Sequence, residues 1–194
     1  YREIGDQLPQ PDLGWKRYDD ADKNITYDGN FLISSNASHY LGTLHYINND
    51  MGTIKFNFKG TGIRLISFTS ASYAPDVGIY IDGKPDKLNQ SMVNSANHAK
   101  QFRVLVYENL NVKDREHSVV IKNTSLGVNL DAIDINDSGM LIPYRETTNK
   151  ILIESGNSIK TIDNGSVADL NKTTVGISHF VNYGCNDIDD LIRV

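Results

Sequence analysis

From Ile25 to Ile135 the chain alternates apolar and polar residues with a period close to two. Ile54, Phe56 and Phe58 alternate with Thr53, Lys55, Asn57 and Lys59, the pattern of a strand with one wet face. Gly60-Thr61-Gly62 interrupts the run, and Ile63, Leu65, Ile66 and Phe68 resume it with a phase slip, which predicts a β-bulge. Val77, Ile79 and Ile81 form the next inward set and end in Asp82-Gly83, a two-residue hairpin signal. Phe102, Val104 and Val106 follow, with Leu105 and Tyr107 on the opposite face, then His117, Val119 and Ile121, and a last strand from Leu130 to Ile135. Short runs separated by Gly, Asn and Asp predict an antiparallel β-sandwich, and no helical stripe precedes Pro143.

After Leu141-Ile142-Pro143 the pattern changes. Residues 144–149 read as a linker. Ile151-Leu152-Ile153 and residues 159–162 flank Gly156-Asn157 as a small hairpin. Two short helical stripes are expected beyond it, one of Ile177, Phe180 and Val181, the other of Ile188, Leu191 and Ile192. The expected organisation is a β-sandwich over residues 1–143 and a small mixed α/β appendage over 144–194, about 50 residues that form a marginal core alone. The first residue is Tyr1 rather than Met, so the 194 residues are expected to be a piece of something longer.

Composition narrows the function. The net charge is −5, and no Lys/Arg run supplies the basic face that a phosphate-tracking nucleic-acid binder needs. No apolar stretch is long enough to insert in a membrane as a helix. Cys185 is the single cysteine, so no intrachain disulfide forms, and without a neighbouring base it reads as an incidental buried thiol. The short fixed spacings of the hydrolase nucleophile elbow, the zinc-protease helix, the phosphate loop and the dinucleotide fingerprint are all missing. No catalytic residues are assigned. The acidic groups Asp19-Asp20-Asp22 and Asp131/Asp134 suit solvated turns, and clustered Asp with loop carbonyls also suits calcium; both readings stay open. His39 and His45, if both lie on one regular strand, are about 20 Å apart and cannot share a metal.

The aromatic residues carry more. A sugar ring shows a C–H face to an aromatic plane while its hydroxyls bond Asn, Asp or His. Residues 70–76 and 36–46 have that make-up. Tyr73, in an expected loop tip, is the leading candidate for an exposed ring, followed by Tyr40, Tyr46, Asp76 and His98. Most of the other rings belong in a sandwich core, and Trp15 reads as structural.

The strand sequences also resemble a known kind of module. Phe58-Lys59-Gly60-Thr61-Gly62-Ile63-Arg64-Leu65-Ile66-Ser67, Ile79-Tyr80-Ile81-Asp82-Gly83-Lys84, Glu116-His117-Ser118-Val119-Val120-Ile121 and Leu130-Asp131-Ala132-Ile133-Asp134-Ile135 resemble a jelly-roll carbohydrate-binding-like module. The opening Gly14-Trp15-Lys16-Arg17-Tyr18-Asp19-Asp20 resembles the version found in phage and prophage tail or fibre proteins of Gram-positive bacteria, clostridia and bacilli especially. The likeness covers residues 5–142. It implies non-catalytic adhesion to a host cell-wall or surface polysaccharide, a virion-tail or cell-surface location, and a homo-trimer in the full-length protein. It transfers no ligand residues. A spacer without ligand and an ancillary module of a wall-degrading hydrolase are the alternatives.

Overall fold

The computed structural model describes residues 2–91 and 100–146 and, beyond them, the strands at 150–155, 158–162 and 180–183. Two compact units result, Tyr1–Arg145 and Glu146–Val194.

In the first unit β1 (Trp15–Asp19), β2 (Thr26–Asp28) and β3 (Leu32–Ser35) lead into the main run. That run is β4 (Thr43–Asn48), β5 (Thr53–Gly60), β6 (Ile63–Thr69), β7 (Val77–Ile81), β8 (Lys84–Leu88), β9 (Gln101–Asn109) and β10 (Arg115–Lys122). It ends with β11 (Gly127–Leu130) and β12 (Ala132–Asn136), followed by a closing β13 (Met140–Ile142). One sheet has the order β5-β10-β7-β8, with β13 and β2 both on the free side of β5. The other layer holds β1-β12-β6-β9 and β11-β4-β3, in line because β11 runs into β12 across Asp131 alone. Successive strands therefore cross between the layers, the interleaving of a jelly roll.

Alternation explains the core. Ile54, Phe56 and Phe58 of β5, Ile63 and Leu65 of β6, Ile79 of β7, Val119 and Ile121 of β10, and Ile133 and Ile135 of β12 are buried in one apolar cluster. Asp82 and Gly83 have φ of 51° and 76° and link β7 to β8 as a two-residue turn with both residues left-handed. The interruption at Gly60-Thr61-Gly62 is a corner between sheets, and the expected bulge lies beyond it, within the string Ile63 to Phe68. Asn136 Oδ1 accepts the N–H groups of Thr61 and Gly62, and Gly60, with φ of 149°, leaves it room. The irregular register falls later, between β6 and β9 at Leu65/Ile66 and Ser67/Thr69. There the apolar phase turns outward. Ile66 joins Leu105, Ala132 and Leu8 in a second, small cluster on the outer face.

The N-terminal segment covers that outer face. Residues 5–8 pair with the edge of β9, Gly5 and Leu8 donating to Leu105 and Arg103 and Leu105 donating back to Asp6. Arg17 grips Asp134 with two bonds of 2.6 and 2.8 Å and donates a third to the Leu8 carbonyl, with neither charged side chain exposed. Arg64 holds Asp12 and Glu108, with its guanidinium 4.1 Å from the ring of half-buried Trp15.

A buried amide pair stitches β11 to β6 where their ladder fails. Asn129 accepts from the Phe68 N–H at 3.0 Å and donates to the Phe68 carbonyl at 2.9 Å. Gln90 accepts from the Asn129 N–H and donates to the Asn129 carbonyl and to Ser67 Oγ. All three side chains are buried.

In the second unit β14 (Lys150–Ser155) pairs with β15 (Ser158–Ile162) as the expected hairpin, and with β16 (Phe180–Tyr183) on its other side. Phe180 and Val181 thus lie in a strand rather than on the expected helical stripe. β14 offers a free edge to pair with, which a sequence window around Phe180 cannot reveal. Cys185 and the Ile188, Leu191, Ile192 stripe lie outside the described residues.

Replacing Asn129 with Leu keeps the volume but leaves the N–H and carbonyl of Phe68 without their side-chain partner, while Gln90 keeps its bonds to the backbone of residue 129 and to Ser67. Each buried group so orphaned costs about 1–3 kcal/mol. Asn129→Leu is therefore expected to lower the urea midpoint clearly at unchanged slope, and an unchanged midpoint would show that the amide pair does not hold the two strands.

Candidate glycan-binding site

The outer-face cover stops short of one end of the sandwich. Its last part is the loop 36–42, pinned by Arg103, whose guanidinium donates to the carbonyls of Ala37, Ser38, His39 and Pro9. Tyr40 packs on the small outer cluster, its ring 5.4 Å from the Arg17 guanidinium and its N–H bonded to Asp131 Oδ1 at 2.7 Å. Tyr40 is thus part of the cover.

Beyond it lies a run of rings. His39 meets Phe102 at 5.0 Å, Phe102 meets Phe68 at 4.8 Å, and Phe68 meets Tyr73 edge-on at 6.1 Å. Phe68 and Phe102 are half-buried, as is Tyr46 on β4, whose neighbour across the strands is Asn129. Tyr73 is buried, with only 5% of its surface exposed, so it is not the free loop-tip ring its sequence context suggests. The reason is backbone pairing. Ala74 donates to Gly127 and accepts from Gln90, while Ser70 donates to Gln90, which folds residues 70–74 onto the sandwich. Burial, with the nearby Tyr46 phenol second, pushes the Tyr73 hydroxyl up to about 12.

Of the five expected residues the structure brings together Tyr73 and Tyr46. Asp76 sits apart, exposed, paired with Lys87 at 3.0 Å beside a shallow cleft of about 360 Å³ that Tyr107 and Asn89 also line. His98 lies outside the described residues. The sequence reading missed Phe68 and Phe102, which the apolar alternation assigned to the core. For Phe68 the signal was the phase slip after Leu65, since an apolar set that changes phase faces the other side of its sheet. Phe102 keeps the phase of the inward Val104 and Val106 and is separated from them by the left-handed Arg103, which no apolar pattern marks.

Beneath the rings is a buried polar layer. His39 and His45 are not on one strand, because the 3-10 turn Tyr40–Gly42, with Leu41 at φ 46° and Gly42 at φ 88°, reverses the chain between them. His45 Nδ1 lies 2.6 Å from Asp20 Oδ2, and its ring stacks on Tyr27 at 4.1 Å. His39 Nδ1 lies 3.7 Å from Asp131 Oδ2, beyond hydrogen-bonding distance. Burial pushes Asp131 up to about 7 and holds His39 below its ordinary value. Burial, with the Asp20 charge second, raises Asp19 to about 6. Among the described residues no group of three or more His, Cys, Asp or Glu side chains is placed to hold a metal ion. No helix among them is long and apolar enough to cross a membrane.

No family model matches the chain. The A type blood alpha-D-galactosamine galactosaminidase of Flavonifractor plautii is 30% identical over 132 residues. The match takes in 66% of this chain but 12% of that curated relative's length. Among solved structures, a family two carbohydrate esterase from Cellvibrio japonicus aligns at 14% identity, covering 73% of this chain and 37% of that one, with a TM-score of 0.48. An exo-beta-1,3-galactanase from Phanerochaete chrysosporium, solved with galactose, aligns at 18% identity over 62% and 29% of the two chains, with a TM-score of 0.46. The relative and these structures are carbohydrate-related proteins.

Asp131 gives the polar layer a measurable signature. Unfolded, its carboxyl titrates near 4; folded, near 7. The folded state therefore holds a proton that the unfolded state releases, and the stability this confers is lost as pH rises from about 4 through 7. Asp131→Asn keeps the acceptor for Tyr40 and removes the titration. Relative to the unaltered protein it is expected to gain about 1–3 kcal/mol in urea unfolding between about pH 5 and pH 8. Parallel profiles would show that Asp131 titrates as an ordinary carboxylate.

Proposed function

We propose that the chain is a non-catalytic glycan-binding module of a longer protein that acts outside the cell. The observation that carries this reading is the run of half-buried rings, Phe68, Phe102 and Tyr46, left open where the outer-face cover ends and backed by the Asn129–Gln90 amides. Rings held on strands offer a sugar a fixed apolar plane at little entropic cost, since the side chains are ordered before the ligand arrives. The relative supports it. A similar segment of about this size recurs within a much longer glycan-active protein. Attachment of a tail or fibre protein to a host surface glycan, the setting the opening sequence resembles, would use the same contacts; the galactosaminidase favours service beside a glycan-cleaving domain.

Titration calorimetry of the chain against neutral oligosaccharides of galacto and gluco configuration tests the reading. Binding in the weak range usual for one shallow site, Kd about 0.1–1 mM, is expected. It should weaken at least about tenfold in Phe68→Ala and in Phe102→Ala, with the oligosaccharide recovered unchanged and a calcium chelator without effect. A folded chain that ignores every neutral glycan would leave the spacer reading in its place.

A further inference from the structure

The open face of the β5-β10-β7-β8 sheet carries chemistry of a different kind. Residues that face outward on these strands are fixed by register. One row runs Lys87, Gly78, Lys122 and Thr53, and the next runs Pro85, Tyr80, Val120 and Lys55. Tyr80 does not stand up from the sheet. Its ring lies down over Gly78, where a Cβ would sit 3.2 Å from Tyr80 Cε2, so the glycine is what lets the ring lie flat. Because Gly78 stands between Lys87 and Lys122 in its row, the ring lies in a bed with a lysine on each neighbouring strand. Those two lysines are ~10 Å apart at the spacing of adjacent strands. The Lys122 ammonium is 4.9 Å from the ring centroid, and that of Lys87 reaches Asp76, both partners well exposed.

The charge on this face runs against that of the chain. The protein carries a net −5, yet the outward positions of these four strands bear Lys55, Lys59, Lys87 and Lys122 against Glu116, and the flanking Asp28 and Asp76 pair with Lys55 and Lys87 without reversing the positive balance. Arg145 covers Glu116, bonding it and Asn57. A second ring, Tyr144, lies 5.6 Å from the Lys55 ammonium on the same face. Lysines about two strands apart with a flat ring between them match a chain of sugar rings that carries repeated carboxylates.

We infer that this face is a second binding surface, selective for an acidic polysaccharide of the uronic-acid type, with Tyr80 as the ring platform and Lys122 and Lys87 as the counter-charges. Its occupant is a carboxylated glycan rather than a nucleic acid or a phosphate polymer, because the cations are few and two of them, Lys122 and Lys55, are set beside a ring that a sugar C–H face can meet. The surface is independent of the Phe68 and Phe102 rings, which face outward on the other layer.

Affinity electrophoresis of the full chain through gels containing polygalacturonate, neutral galactan or polyphosphate tests this. Retardation by polygalacturonate is expected at about 0.1 M salt and should fade toward 1 M, where the screening length drops from about 10 to about 3 Å. Tyr80→Ala and Lys122→Gln should each weaken it about two- to fivefold, the range for an exposed cation or ring contact. Phe68→Ala should leave it unchanged while weakening neutral-glycan binding, so the two surfaces fail separately. Equal retardation of the Tyr80 and Lys122 variants, equal retardation by polyphosphate or single-stranded DNA, or no retardation at all would each overturn the inference.

Discussion

Arg17 and Asp134 meet in full burial on the outside of a sheet, a place where a jelly roll ordinarily meets water. Withdrawing both charges from solvent is costly, and it is offset by a hydrogen bond from each guanidinium nitrogen. The third bond goes to the Leu8 carbonyl, so the ion pair ties the N-terminal segment across the sheet. That segment in turn gives Ile66, Leu105 and Ala132 the cover their outward-facing methyl groups require. Arg103 repeats the device one step further along, clamping four carbonyls of the segment and of the 36–42 loop. Cover and site are therefore complementary. The rings of Phe68 and Phe102 stay half open because the second guanidinium clamp ends at His39.

The strands were legible because each side chain along a strand answers to one face or the other, and the core of β5, β10 and β12 follows from counting by two. The Asp82-Gly83 turn was equally legible, since two consecutive left-handed residues admit few sequences. What failed was the choice of face. Ile63, Leu65, Ile66 and Phe68 are one apolar string to the eye, but the register shift after Leu65 sends half of it outward. Tyr73 failed for a related reason. Ser, Ala and Pro around it describe a loop correctly, and nothing local says that Gly127 and Gln90, far away in sequence, pair with its backbone. The same holds for Asp131 and His39, whose burial depends on a turn between His39 and His45 that reads as continuous strand.

The two open faces differ in the physics they offer a ligand. The Phe68–Phe102 run is uncharged and rests on satisfied amides, so a glycan bound there would be held by area and shape, with little dependence on salt. The Tyr80 face combines a ring with exposed lysines whose attraction is long-ranged and screened. A polymer with both neutral and acidic stretches could engage each face in turn. Individually weak contacts on one rigid body then add through effective concentration, by ~10²–10⁴ where the linking chain can span the gap.

That addition depends on the sandwich staying rigid between its faces. β6 and β11 belong to the layer that carries the Phe68 ring, and the buried Asn129 and Gln90 amides join them by side-chain bonds where no backbone ladder runs. β11 bonds β6 through side chains along one edge and pairs with β4 along the other, which sets Tyr46 opposite Asn129 and near Tyr73.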